Sequence, residues 1–468
     1  MVLGVAPAGK RPPYPHMPIA PQAYRPETAL LDLGPTLWDP VEAADFPQTI
    51  LRFRNDKAAA QVGLATLTDA EWTQAFGRFA GLPDTLPQPL ALRYHGHQFR
   101  QYNPDIGDGR GFTFAQLRDG ADRLMDLGTK GSGQTPYSRF GDGRLTLKGG
   151  VREILATEML EALNVPTSRT LSLIETGEEL ARGDEPSPTR SAVMVRLSHG
   201  HIRIGTFQRL AYLQDEAGMR AAVRYVLGHL YGEESDDPVR LLDHVVGRTA
   251  RLAARYMAAG FVHGVLNSDN INVTGESFDY GPWRFAPTWD PAFTAAYFDH
   301  AGLYAFGRQP EAIHWDVMQL AAALRLIADS DPLVALIEQF GPRYQPEITG
   351  ALLWRLGVVP RSPEEDRALV QAMERALRTG AAPMDRFFFD VFGGALPAAY
   401  GPEWDGFRAA LAPYAPRKGR DHAYWQGEPC SMLIEEMEAI WSPIAASDDW
   451  SMLHAKVAAI RAMGDALA

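Results

Sequence analysis

One stretch constrains this chain more than any other: His263-Gly264-Val265-Leu266-Asn267-Ser268-Asp269-Asn270, with Asp279-Tyr280-Gly281 beginning nine residues after Asn270. It interrupts a half of the sequence that otherwise reads as helix, and it sets aspartates, asparagines and a histidine among apolar residues. Polar groups inside a core are costly unless they are paired, so a fold that carries such a loop has to use it. Asn270 and Asp279 offer oxygen donors of the kind magnesium or manganese takes beside phosphates. Asp269 stands next to them as a carboxylate able to accept a proton.

The remaining sequence sets the frame. At 468 residues, 46% hydrophobic and 22% charged, the chain can bury a sizeable core. Acidic residues outnumber basic ones 57 to 45, a net charge of −12. That balance argues against nucleic acid or an anionic membrane as the main partner, while leaving room for a local basic pocket. No stretch reaches the roughly 20 apolar residues of a membrane span. Cys430 is the only cysteine, so neither an intrachain disulfide nor a thiolate zinc cluster can form, and a reducing compartment fits. Residues 1–28 read as a proline-rich arm whose seven prolines oppose the amphipathic helix of a transit peptide. The expectation is a cytoplasmic protein.

From 29 to 198 the pattern is mixed. Helical spacing occurs over 69–80 and 151–163, the latter stopped by Asn164-Val165-Pro166, and strand-like runs occupy 112–117, 124–129, 169–175 and 191–197. Beyond 199 the pattern predicts helices over 219–231, 238–259, 314–328, 364–379, 431–441 and 452–467, with a short strand at 278–281. A strand-rich front half and a helical back half with a polar loop pair predict an α+β, two-lobed protein-kinase-like fold. Its parts would be the arm 1–28, a nucleotide-binding N-lobe 29–198, and an enlarged helical C-lobe 199–468 holding the catalytic loop and metal site.

The protein-kinase catalytic loop reads H-R-D-L-x-x-x-N and is followed by D-F-G. His263 and Asn270 fall at that separation, and Asp279-Tyr280-Gly281 imitates the triplet. Val265 occupies the position of the catalytic aspartate, and valine cannot take a proton. Either the site is inert or another carboxylate, Asp269 being nearest, supplies the base. Lys130 follows a strand and Glu153 lies 23 residues later on a helix, as when a glutamate orients a phosphate-binding ammonium. The helical wheel instead sets Glu153 off the apolar stripe, where a solvated side chain belongs. In Gly107-Asp108-Gly109-Arg110-Gly111, alternating glycines let backbone N–H groups approach phosphate and Arg110 adds a guanidinium. The segment is neither a Walker loop nor a dinucleotide fingerprint, and alone it does not separate binding from turning. Arg196 and Arg203 either grip a triphosphate bidentately or lie on the surface. Asp142-Gly143 alone indicates nothing. The His95–His97 and His199–His201 triplets lack further ligands at zinc spacing and read as structural, and Cys430 reads as inert.

Seven blocks, at 94–99, 107–110, 129–139, 140–144, 198–207, 263–270 and 279–282, resemble in that order the selenoprotein O family of pseudokinase-fold protein adenylyltransferases. The resemblance implies ATP bound in a flipped orientation and AMP transferred to a Ser, Thr or Tyr hydroxyl of a protein, with pyrophosphate leaving. It implies Asp269 as proton acceptor, Asn270 and Asp279 as ligands of Mg²⁺ or Mn²⁺, and Lys130, held by Glu153, on phosphate. Gly107, Gly109, Arg110, Asp142, Gly143, Arg196 and Arg203 match nucleotide-contacting positions, and Asp279 serves there too. Some members carry selenocysteine or cysteine near the C-terminus. Residues 463–468 contain neither, so a selenium-linked redox role has no support. The sequence leaves three alternatives open: an inactive ATP-binding scaffold, a kinase acting on the γ-phosphate, and transfer of UMP from UTP.

Overall fold

Strands buried on both faces organise the front half of this computed structural model, which describes residues 20, 22–183, 185–380 and 382–468. Most of the arm expected over 1–28 therefore lies outside the described residues. The main strands are β1 (Trp38–Pro40), β2 (Ile50–Arg54), β3 (Leu90–Leu92), β4 (Thr113–Arg118), β5 (Leu124–Lys130), β6 (Arg169–Leu180) and β7 (Thr189–Ser198). They pair antiparallel in the order β1-β3-β4-β5-β7-β6-β2, and two short strands complete a nine-stranded sheet. Val193, Val195 and Leu197 of β7, with Met125 and Leu127 of β5, pack on one face against Trp72, Phe76 and Phe114. Successive side chains point to opposite faces, so Met194 and Arg196 on β7, and Gly128 and Lys130 on β5, share the other face. The register sets Lys130 opposite Met194 and Arg196 opposite Gly128.

Helix α1 (Leu147–Ala162) covers that second face, with Val151, Ile154 and Leu155 fully buried. A Cβ on Gly150 would come within 2.3 Å of Leu173, so glycine is what lets the helix lie close to β6. The chain's last two helices, Ile434–Ser447 and Ser451–Leu467, close over the back of α1. Lys148 pairs with Glu438 at 2.9 Å, and Arg461 bonds both oxygens of the buried Glu158 at 2.6 and 2.8 Å. Helix α1 is thus buried nearly all round, which a wheel calculation on its own sequence does not reveal.

Beyond β7 come α2 (Ile204–Tyr212), a helix at Glu216–Tyr225 that continues as a π turn over Val226–Leu230, α3 (Pro238–Ala259) and α4 (Gln309–Leu324). The sequence marks α3 at both ends: the Asp237 side chain caps Val239 N–H, Pro238 opens the first turn, and Gly260 closes it at φ +71°. The strand expected at 278–281 does not form, because Asp279 adopts a left-handed backbone at φ +56°, a conformation that interrupts a ladder. Phe261–Val262 pairs instead with Arg284–Phe285. Helices at Ser330–Ile337, Phe340–Leu356 and Met384–Val391 were not expected. Pro346 lies inside the second of these and reads locally as a breaker. The architecture is α+β, and among the described residues no helix is long and apolar enough to cross a membrane.

Candidate functional site

A cleft of about 720 Å³ lies on the second face of the sheet, where β5 and β7 meet the loops at 267–270 and 279–281. Gly107, Gly109, Arg110, Lys130, Asp142, Gly143, Arg196, Arg203, Asp269, Asn270 and Asp279 all line it. Glu153 does not, but reaches Lys130 from α1, its oxygen 2.5 Å from Nζ. Only 2% of Glu153 is exposed, which overturns the solvated side chain suggested by the helical wheel. The cover provided by the C-terminal helices is the reason. Burial pushes the Lys130 ammonium down and Glu153 opposes it; Nζ also donates to the Tyr280 carbonyl at 3.4 Å.

Arg196 and Arg203 are buried, not on the surface. Arg196 Nη1 lies 2.6 Å from one oxygen of Asp279, and Arg203 Nη1 lies 2.7 Å from the other. Arg203 also donates to the Asp269 carbonyl at 2.8 Å and sits over the rings of Tyr94 and Phe278, at 4.1 and 4.7 Å. Burial alone would raise the Asp279 carboxyl, yet Arg196, Arg203 and Lys130 outweigh it and hold the group well below the usual carboxylate range. Asp279 is an anion.

Asp269 is the opposite case. It is 7% exposed, and its Oδ1 has no partner among the described residues. Burial pushes its carboxyl up to about 6 against the pull of Arg203. Asn270 beside it donates from Nδ2 to the Val265 carbonyl at 3.0 Å. His263 is 1% exposed and kept neutral by burial; its Nε2 faces the Phe278 carbonyl at 3.2 Å and its backbone N–H donates to Gln309 at 3.0 Å. It braces the two loops against each other from outside the cleft.

The glycines act through packing. A Cβ on Gly107 would lie 2.5 Å from the Tyr137 ring, and one on Gly143, at φ +71°, would lie 2.2 Å from Gly133. The loop at 107–111 thereby packs onto the loop at 135–138: Thr135 Oγ1 donates to the Asp108 carbonyl and Ser138 Oγ to that of Gly109, both at 2.5 Å. Arg110 is exposed at the mouth. Asp142 is exposed too, its carboxylate bonded to Arg182 at 2.8 and 3.0 Å. The structure brings it to the rim but commits it to an arginine.

Three contributors were not singled out from the sequence. Asp108 is half-buried within 3.5 Å of Arg203 and accepts the Leu92 N–H at 3.0 Å; its position between two glycines was the available signal. Gly96 is the second: a Cβ there would lie 2.7 Å from Asp269 Oδ1. The third is Gln208, which joins His97 Nδ1 at 2.6 Å and accepts from Ser268 Oγ at 2.6 Å, while Ser268 Oγ accepts the His97 N–H at 2.7 Å. Phe99 N–H donates to Asn267 at 3.0 Å. The first His-Gly-His triplet is therefore a clamp on the loop preceding Asp269. His201 of the second bonds Asp126 at 3.1 Å, so both triplets are structural, as their sequence suggests. Cys430 is buried, its thiol pushed up to about 11.

A cleft that gathers one ammonium, two buried guanidiniums, an ionised aspartate and a second aspartate poised near neutrality suits phosphate chemistry with a proton to be moved. The comparisons agree with that geometry. The family model for protein adenylyltransferase SelO matches residues 22–397. A protein nucleotidyltransferase YdiU of Synechococcus elongatus is 44% identical, with 94% of this chain and 96% of that protein covered. One of the same name from Gloeobacter violaceus is 42% identical over 93% and 94%, and one from Azotobacter vinelandii is 36% identical over 75% and 70%.

Proposed function

Since the chain belongs to the SelO family of protein adenylyltransferases, and is a nucleotidyltransferase, we propose that it transfers AMP from ATP to Ser, Thr or Tyr hydroxyls of other proteins. The observation that carries the reading is the contrast between Asp269, buried and pushed up to about 6, and Asp279, held ionised by two guanidiniums. The acceptor's O–H proton passes to Asp269 and its oxygen bonds the α-phosphorus. The bond from that phosphorus to the oxygen bridging to the β-phosphate breaks, releasing pyrophosphate. Lys130, oriented by Glu153, and Arg196 and Arg203 neutralise the phosphates and the leaving group, as preorganised cations do. Arg110, Gly107, Gly109, Asp142 and Gly143 shape the mouth where the nucleotide lies, flipped so that its α-phosphate faces Asp269.

Asn270 and Asp279 would hold one or two Mg²⁺ or Mn²⁺ ions. The donor set fits: one ionised carboxylate and one amide line the cleft, both hard oxygen donors. When bound, such an ion supplies further charge neutralisation on the phosphates.

The architecture that carries this is kinase-like and two-lobed, with residues 29–198 as nucleotide-binding lobe and 199–468 as the enlarged helical one. A cytoplasmic setting suits a sequence with a single cysteine. The test is label transfer to acceptor protein. Label from α-³²P-ATP should reach protein in the wild type and not in Asp269→Asn, whereas label from γ-³²P-ATP should stay in pyrophosphate. Transfer of the γ-label would mean a kinase, and label only from α-³²P-UTP would mean UMP transfer.

A further inference from the structure

Away from the cleft, a cavity of about 320 Å³ opens between α3, the turn after α1 and the segment at 274–276. Arg123, Arg169, Arg248 and Arg251 line it, against only Glu161 and Glu276, on a chain whose net charge is −12. Both acids are already engaged. Glu161 pairs with Arg169 at 3.0 Å and Lys57 at 3.4 Å, and Glu276 accepts the His199 N–H at 2.7 Å.

The donors are not. Arg169 Nη1, Arg251 Nε and Thr274 Oγ1 are buried atoms without a hydrogen-bond partner among the described residues, and Thr274 is 8% exposed. Arg248 is exposed and has no carboxylate within ion-pair distance among them. A buried donor left unsatisfied is costly. A set of guanidinium donors with one hydroxyl that can turn its proton inward is satisfied by a ligand made only of acceptors. Tetrahedral oxyanions are such ligands, and the guanidinium fork matches their oxygens.

We infer that this cavity is a second anion site, taking the oxyanion of inorganic phosphate or of a phosphate monoester on Arg169, Arg248, Arg251 and Thr274. Its floor is tied to the candidate active site. Ser277 N–H donates to the Pro166 carbonyl at 2.8 Å and Ser168 N–H to that of Ser277 at 2.9 Å. An ion held there touches the stretch of chain that joins Asn270 to Asp279.

The experiment is calorimetric titration of the full chain with inorganic phosphate and, separately, ribose 5-phosphate, the active-site cleft being saturated with a non-hydrolysable ATP analogue. The wild type should bind with a Kd of about 0.1–1 mM, and Arg248→Ala/Arg251→Ala should weaken binding by about tenfold or more. Both changes lie on the half-buried or exposed side of α3, and thermal unfolding checks that the helix is intact. Thr274→Val, which removes one donor at nearly constant volume, should weaken binding several-fold independently. Tighter binding of ribose 5-phosphate would assign a phosphorylated metabolite, and equal or tighter binding of phosphate the free ion. No binding by the wild type at about 10 mM phosphate, or equal affinity in wild type and both variants, would overturn the assignment.

Discussion

Asp269 gives up its hydration without gaining a cation on its Oδ1, whereas Asp279, ten residues on, is gripped by two guanidiniums. The difference turns two identical side chains to different work, one to move a proton and one to hold positive charge. A positioned carboxylate base is worth about 10²–10⁴-fold in rate, so Asp269→Ala should lose that much turnover while ATP binding, measured by calorimetry, stays within a few-fold. The same residue carries a stability signature in the metal- and nucleotide-free protein. Its folded pKa, about 6, lies above the ordinary 3.8, so ionising it opposes folding. The cost is fully present above pH 6 and is relieved as pH falls from 6 towards 4. Asp269→Asn should therefore stabilise the protein by about 1–3 kcal/mol at pH 8, a gain that shrinks below pH 6. A variant less stable than wild type at pH 8 in urea titrations would contradict this. Gly96→Ala tests the same spot sterically: its Cβ, 2.7 Å from Asp269 Oδ1, should reduce kcat far more than ATP affinity.

At the scale of elements, two strands and one helix do most of the positioning. Antiparallel register sends Lys130 and Arg196 to one face, and α1 brings Glu153 to them from behind. The anchor of α1 is remote. Arg461 is the partner of Glu158, a side chain 3% exposed against 32% for the arginine. Arg461→Ala strands a buried carboxylate and should cost about 2–4 kcal/mol, at or below the usual range for breaking a buried pair because the arginine is partly solvated. Denaturant unfolding measures it. The loop before Asp269 depends on the His97–Gln208–Ser268 clamp. Gln208→Ala should speed amide exchange over 267–270 more than elsewhere and lower kcat.

Across the whole molecule, what the sequence made legible follows from where the physics is local. Short apolar runs bounded by turn residues located the central strands, which are buried on both faces, and Asp237, Pro238 and Gly260 fixed α3 at both ends. Lys130, Arg196, Arg203, Asp269, Asn270 and Asp279 converge on one cleft; motif spacing had gathered Asn270 and Asp279 with Asp269 beside them, whereas Lys130, Arg196 and Arg203 joined them only through the family resemblance. Non-local causes were not legible. Glu153 reads as solvated until helices some 280 residues later cover α1, and nothing near Gly107 in the sequence shows that Tyr137 packs against it. The helix around Pro346 is masked by its own proline, and Asp108 and Gly96 matter only through neighbours distant in sequence. The central claim is that the reacting atom is the α-phosphorus. Intact-protein mass spectrometry of acceptor proteins incubated with the enzyme, ATP and Mg²⁺ or Mn²⁺ tests it directly. The account predicts a gain of about 329 Da, the mass of an adenylyl group replacing a proton, whereas a gain of about 80 Da would mean phosphoryl transfer and contradict it.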